Sequence, residues 1–248
     1  MAETEASHWW FAGRRAILAS VIAGLGLPAE AKVLEIGSGT GGNLVMLAEF
    51  GRVCAMEMDD AARALSAQRT GGRFDIRAGV CPSAVPFAGE RFDLVCLLDV
   101  LEHIEDDAGT LVEAGRRLAP GGRVLVTVPA YRWLWSAHDE FLHHKRRYSS
   151  DELRAKAERA GLSVDRMTHF NSVLFPLVAL ARLLDRRRGK VAGSPLPPPA
   201  LNPLLCRLFG AERFFLRRHD LPFGVSLLAV LRLPGDLAAQ STRISAET

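Results

Sequence analysis

The sequence predicts an α/β fold built on a parallel, doubly wound sheet with helices on both faces. Two observations carry this: short apolar strand-like runs alternate with amphipathic helices, and a glycine-rich turn closes the first run. The 248 residues, 48% hydrophobic and 24% charged, suffice for one large domain whose core needs neither disulfides nor metal staples. Small disulfide scaffolds and disordered chains are thereby excluded. Cys54, Cys81, Cys96 and Cys206 form no CxxC pair and read as reduced, buried thiols. The start, MAETEASHWWF, lacks a basic segment leading into a long apolar one, so no export signal and a cytoplasmic setting are expected. No apolar run reaches the roughly 18 residues of a membrane span.

Each element follows from its pattern. Ala12–Leu27 reads as a helix because Ile17, Leu18, Val21, Ile22 and Leu25 recur at helical spacing before Gly26 and Pro28. Lys32–Ile36 is a buried strand closed by glycines. The alternation continues through helix Asn43–Phe50, strand Arg52–Met56, helix Asp60–Gln68, strands Phe74–Arg77 and Phe92–Leu98, and helix Thr110–Leu118. Pro120, Gly121 and Gly122 then turn the chain into strand Arg123–Val128. Ala130–Tyr148 mixes aromatics, His and Arg without a period, as a functional loop does. Ser149 and Glu152 supply a capping box for a helix ending at Gly161. Leu162–Phe170 and Val225–Leu233 read as strands. Between them an apolar stretch, Val173–Leu184, a basic run, Arg186–Arg188, and proline-rich Ser194–Pro199 read as a helical cover split by a linker. The single domain thus comprises a helical cap (1–29), a core (30–129), a loop, helix and strand (130–170), a helical insertion (171–220) and a last strand with a tail (221–248).

The formal charge of +3 hides an asymmetry. Residues 130–220 hold 17 Lys+Arg against 9 Asp+Glu, a net +8, which leaves −5 for everything else. The basic section lacks the spread of aromatic and basic residues of an RNA platform, so nucleic acid is not an expected partner. A phosphate, a membrane surface or solvent suits it equally.

The chemistry centres on the turn after the first strand, Gly37-Ser38-Gly39-Thr40-Gly41-Gly42. Its spacing satisfies both GxGxxG and GxGxG, so the glycines alone do not choose a ligand. Glu35, at the strand end beside the turn, would repel a diphosphate and suits a cationic ligand. Glu57, 20 residues after Gly37 at the end of the second strand, is placed to accept from ribose hydroxyls. Four further motifs follow in order: Pro86-Phe87, Phe92-Asp93-Leu94-Val95, Leu98-Asp99-Val100-Leu101-Glu102-His103, and the run from Leu118 to Val126.

With these motifs, residues 30–165 resemble the class I S-adenosylmethionine-dependent methyltransferases. The resemblance implies a Rossmann-like, seven-stranded sheet whose last strand is antiparallel, with S-adenosylmethionine as cofactor across the strand ends. It places Glu35, Gly37, Ser38, Gly39 and Gly41 around the methionine part, Glu57 and Met58 at the ribose, and Asp99 near the reacting methyl group. Val80 stands where family members often carry an Asp for the adenine amino group, so the backbone of Val80 and Cys81 is the expected replacement. The flanks, His8-Trp9-Trp10-Phe11 with Arg14-Arg15, Leu134–Asp139 with His144–Tyr148, and Pro222–Ser226, resemble a narrower methyltransferase-like subgroup of type 11/23. Its members look like components of cell-surface glycan or lipid-linked pathways.

An acceptor that still bears its proton requires a base. His138, Asp139, His143 and His144 are the candidates in the loop, with His138 beside Asp139 as an oriented imidazole, and His103 follows Asp99 by four residues. Their spacing fits no specific metal signature, so no metal is expected. Trp135, Arg146, Arg147 and Tyr148 are expected to contact the acceptor, the arginines by bidentate capture of a phosphate or carboxylate. Trp9 and Trp10 read as a cofactor lid or as packing for the first helix. Val173–Leu184 with its basic end suits peripheral contact with an anionic membrane or an internal lid. The expected function is methyl transfer to a small or lipid-linked hydroxyl, amine or carboxylate. The rivals are an NAD(P)-dependent oxidoreductase and a non-catalytic cofactor-binding module.

Overall fold

In the computed structural model, which describes residues 8–188, 198 and 201–235, the alternating runs pair into one seven-stranded sheet. Its strands are β1 (Lys32–Ile36), β2 (Arg52–Glu57), β3 (Asp75–Ala78), β4 (Phe92–Leu98), β5 (Leu118–Pro129), β6 (Ser163–Phe170) and β7 (Ser226–Arg232). The order is β3-β2-β1-β4-β5-β7-β6, and β7 runs antiparallel to both of its neighbours, as the resemblance implied.

Strand periodicity sends alternate side chains to two separate cores. Leu34, Ile36, Val95, Leu97, Val124 and Val126 meet helices α4 (Asp107–Arg116) and α6 (Ser150–Arg159) on one face. Val33, Leu94, Cys96, Leu98 and Leu125 meet α1 (Trp9–Ile22), α2 (Leu44–Leu47) and α8 (Leu201–Leu216) on the other. Helix α3 (Asp60–Arg69) follows β2, and α5 (Ala137–Phe141) and α7 (Phe175–Arg188) complete the described helices.

Helix α1 starts at Trp9, three residues before the predicted position, because the His8 side chain accepts from the Trp10 amide and caps it. It packs on α8 through Gly13, where a Cβ would stand 2.5 Å from the Phe209 ring. Trp9 meets Phe209 edge to face, its amide donates to Asn202 Oδ1 (2.8 Å), and Trp10 packs against Phe11, which favours packing over a lid for both indoles. The insertion is tied down by Glu212 of α8, buried and accepting from the amides of Asn171 and Ser172 (each 2.7 Å) and Val173 (2.9 Å). The predicted helix Asn43–Phe50 contracts to α2, and the predicted loop holds α5 and a 3-10 turn, Arg132–Leu134. The linker Ser194–Pro199, apart from Pro198, and the side chains of Arg186–Arg188 lie outside the described residues. No described helix is long and apolar enough to cross a membrane.

Candidate active site

The carboxyl ends of β1, β2, β4 and β5 gather the functional side chains. At β1, the amides of Gly37 and Ser38 both donate to the Met56 carbonyl (2.9 and 3.0 Å), so the glycine turn hangs from the end of β2. Gly37, Gly39 and Gly41 have φ of 73°, 53° and 80°, which side chains resist. A Cβ at Gly41 would overlap Ser66 Oγ at 2.2 Å, whereas one at Gly39 would find nothing within 4 Å. The space beside Gly39 is a cradle that a ligand's backbone can fill. Ser38 Oγ is buried beside it without a hydrogen-bond partner. Glu57 accepts from the Gly39 amide (Oε2, 2.7 Å) and the Asp59 amide (Oε1, 2.9 Å), leaving a lone pair on each oxygen for hydroxyl donors. Met58 is 70% exposed next to it. An open cradle, an orphaned hydroxyl and acceptor oxygens at one sheet end fit the aminoacyl and ribose parts of S-adenosylmethionine.

Val80 forms a two-way bridge with Ala84: its amide donates to the Ala84 carbonyl and its own carbonyl accepts from the Ala84 amide (3.1 and 2.7 Å), which commits the amide and leaves one lone pair on the carbonyl. Cys81 is buried, which pushes its thiol up to about 11.

Glu35 sits on the α1 face and accepts from Asn43 Nδ2 (2.7 Å). Asn43 Oδ1 in turn accepts from Arg14 (3.4 Å), a buried guanidinium that also donates to Thr127 Oγ1 (3.3 Å) and pairs with Asp99 at 2.7 Å. Thr127 closes the network by donating to Asp99 Oδ1 (3.1 Å). Sequence reasoning gave Arg14, Asn43 and Thr127 no role. Arg14 was visible as a charge three and four positions from Ile17 and Leu18, on a helix face otherwise buried, where a charge demands a partner. Asp99 thus stands at the end of β4 paired with Arg14 on one carboxylate oxygen and accepting from Thr127 on the other.

Three strands leave the sheet here through left-handed residues: Asp99 after β4 (φ 58°), Tyr131 after β5 (59°) and Asn171 after β6 (59°). Such backbone is sparsely populated outside glycine and gathers where loops are over-determined.

The turn after Asp99 carries Glu102, buried at 1% exposure, and His103, exposed. Burial first, then the Asp99 carboxylate, raise the Glu102 carboxyl well above its usual range. The Lys145 amide donates to the Glu102 carbonyl (2.7 Å), bringing the loop 143–148 across the turn. His144 thereby meets His103 edge to face, with ring centroids 4.8 Å apart. Partial desolvation by the packed loop, then His144, lower the His103 imidazole. Asp139 is fully buried and serves three partners: His144 Nδ1 (3.0 Å), Arg147 Nε (2.7 Å) and the Ser136 amide (3.0 Å). Burial alone would raise its carboxyl, but His144 and Arg147 hold it well below the usual range. The oriented imidazole is therefore His144, correcting the pairing expected between His138 and Asp139. His138 is half-buried, and desolvation followed by the Arg182 charge lowers it to about 4. The His143 side chain is exposed, on a residue with φ of 57°.

The residues expected to contact the acceptor each have a partner within the chain. Arg147 is buried and holds Asp139 and the Ala130 carbonyl (3.0 Å). Arg146 pairs with Asp107 (3.0 Å) and donates to the Glu105 carbonyl (3.1 Å). Tyr148, 1% exposed, donates to Asp107 Oδ2 (2.8 Å), which with burial raises its phenol far above the usual range. Trp135 is half-buried and lies 3.4 Å from Glu140 Oε1. These residues build the loop instead of facing outward, because each cation lies within reach of a carboxylate that the fold has already buried. The aromatic surface lies elsewhere: Tyr131 stacks on His169 (5.3 Å), and Trp133, Phe175 and Phe223 extend the cluster, Trp133 and Phe223 being about half exposed. A cleft of about 690 Å³ beside Glu113 and Leu233 lies outside this constellation, and one of about 460 Å³ beside Gly42 and Glu49 borders the glycine turn at Gly41.

Residues 10–187 match the family described as a methyltransferase domain. The chain is 33% identical over 136 residues to a Mycolicibacterium smegmatis protein named "Probable S-adenosylmethionine-dependent methyltransferase", covering 54% of this chain and 52% of that protein. It is 32% identical over 123 residues to demethylmenaquinone methyltransferase of Mycobacterium sp. (strain JLS), covering 48% and 52%. The chain spans about half the length of these curated relatives. Among solved structures, a chain from the complex between the Haloferax volcanii Trm112 methyltransferase activator and a methyltransferase superposes with a TM-score of 0.62 at 20% identity, covering 94% of this chain and 93% of that one. At that identity the likeness is one of fold.

Proposed function

Because the chain belongs to the methyltransferase domain family, we propose that it transfers a methyl group from S-adenosylmethionine to a hydroxyl, amine or carboxylate of a small or lipid-linked acceptor. The observation that carries this reading is the open cradle at Gly39 with the orphaned Ser38 hydroxyl and the Glu57 carboxylate beside it. When bound, S-adenosylmethionine supplies a methyl group already activated on a sulfonium, with a neutral thioether as leaving group.

The chain's own residues then have limited tasks. Ser38 and the Gly39 region receive the aminoacyl part, and Glu57 receives the ribose. Glu35 and Asp99 favour a cationic ligand at the strand ends, while Arg14 keeps their summed charge from destabilising the fold. Activation of a protonated acceptor falls to the group formed by Glu102, His103 and His144, since His144 is oriented by Asp139 and His103 is open to an incoming molecule. The aromatic cluster at Tyr131, Trp133 and Phe223 offers an apolar surface for the rest of the acceptor.

A lipid-linked acceptor is supported by two exposed leucine stripes at helical spacing. Leu177, Leu180 and Leu184 lie along α7, and Leu201, Leu204 and Leu208 along α8.

Calorimetry with S-adenosylhomocysteine and with NAD tests the reading. Binding of the former only is expected, weakened at least about tenfold by Glu57→Ala, in line with loss of charge-assisted hydrogen bonds. Binding of NAD alone would return the oxidoreductase reading. Absence of methyl transfer across a panel of hydroxyl, amine and carboxylate acceptors would return the non-catalytic one.

A further inference from the structure

We propose that Glu102, His103 and His144 form a binding site for a divalent first-row transition-metal ion. One ligand atom from each, two imidazole nitrogens and a carboxylate oxygen, lie within 4.8 Å of one another. Donors around an ion with bonds of about 2.1 Å stand roughly 3 to 3.4 Å apart, so closing the set takes a side-chain adjustment of about an ångström. The donor types suit zinc, manganese, iron or cobalt better than calcium or magnesium, which prefer oxygen alone.

Three independent features prepare the site. Glu102 Oε2 is buried without a hydrogen-bond partner, and its residue is 1% exposed, whereas both oxygens of the buried carboxylates Glu57 and Glu212 accept from backbone amides. His144 Nδ1 faces Asp139 Oδ1 at 3.0 Å, which makes Nδ1 the protonated nitrogen and leaves the Nε2 lone pair for an ion. The His103 ring hydrogen-bonds the His143 carbonyl, so its other nitrogen is likewise an acceptor. Carboxylate or carbonyl groups behind metal-ligating histidines orient the rings and raise their basicity. His144 is brought to His103 by the loop that crosses the β4 turn, a juxtaposition that no ligand spacing along the chain displays.

Three protein ligands leave coordination positions open, and the exposure of His103 puts them toward solvent at the sheet end. There the ion would take an acceptor oxygen and lower its pKa, so that the oxygen's proton passes to water. This last role rests on the methyl-transfer reading; the ion site itself does not.

The test titrates cobalt(II) alone into metal-stripped protein. The expected result is a visible d–d spectrum with imidazole ligation that saturates at a single equivalent and is displaced by zinc. His144→Ala and Glu102→Gln should abolish the spectrum, Asp139→Asn should weaken cobalt about 10- to 100-fold, and His219→Ala, an exposed control, should change nothing. Because buried-site variants can unfold, the exposed His103→Ala provides a second variant whose fold is checked by circular dichroism. A spectrum identical to that of the aquo ion, or cobalt bound equally by His103→Ala and the unaltered protein, would overturn the proposal. S-adenosylhomocysteine calorimetry on the same samples separates the two readings: binding without a cobalt site removes the metal alone, and a cobalt site without binding removes methyl transfer alone.

Discussion

Arg14 has the widest reach of any single residue here. Its guanidinium spans Asn43, Thr127 and Asp99, so one side chain from the first helix closes the ends of β1, β4 and β5. Removing one member of a buried pair leaves the other charge without its partner, which costs about 3–5 kcal/mol. Arg14→Ala should lower the free energy of unfolding by that amount in urea titration; an effect under about 1 kcal/mol would show that Asp99 finds compensation in water. The residue scale is also where the sequence was least legible. Glu35 and Glu57 were readable because each lies at a strand end next to the glycine turn. The partners of Asp99 and Asp139 were not: Arg14 reaches Asp99 from a distant segment, and Asp139 takes His144 and Arg147 across a loop of no regular period, where the neighbouring His138 was the nearer candidate. Val80 shows the same limit: the bridge that commits its amide to the Ala84 carbonyl is not readable from the motif.

At the scale of elements, Asp107 joins three pieces. It opens α4, and its carboxylate holds Lys156 of α6 (2.8 Å), Tyr148 (2.8 Å) and Arg146 (3.0 Å). The loop that presents His144 is thus anchored to both helices on that face. Burial works against the Asp107 carboxylate, but bonds from Lys156, Tyr148 and Arg146 outweigh it and set its pKa below the usual value. A depressed pKa contributes stability that is present above the unfolded pKa of about 3.9 and lost as pH falls through the folded value. The stability difference between the protein and Asp107→Asn should therefore be full at neutral pH and shrink below about pH 4. A difference that stayed constant from pH 7 to about pH 3 would assign the contribution to shape instead of charge. Elements themselves were legible, since β1, β2, β4 and α6 carry strong periodicity or a capping box. Their ends were less so: His8 extends α1 by acting as a cap, and the sequence around Asn43 does not sustain a helix past Leu47.

For the whole molecule, the two faces of the sheet account for the thiols. Cys54, Cys81 and Cys96 are buried, and burial raises all three, Cys96 well above the usual value. Cys206 is half-buried on α8. Under native conditions at neutral pH a thiol reagent should modify Cys206 first, and the remaining three only on unfolding. Rapid modification of a second thiol would mean that one face opens without global unfolding. The charge asymmetry read from composition also takes a structural form. Within the basic section, Arg146 and Lys156 pair with Asp107 and Lys145 with Glu105, so part of the excess is met by carboxylates outside that section.

The position of β7 bears on how the chain comes to fold. Strand β6 meets the sheet only through β7, which is 56 residues further on from its end to the start of its partner. A nascent chain that has emerged through β6 has β5 as an open edge and β6 with nowhere to pair. Its last two pairings must await the arrival of Ser226–Arg232, and β7 then enters between two strands already made. The half of the sheet carrying the aromatic cluster is therefore completed late in synthesis, and until that insertion a chaperone or a neighbouring chain competes for the same pair of edges.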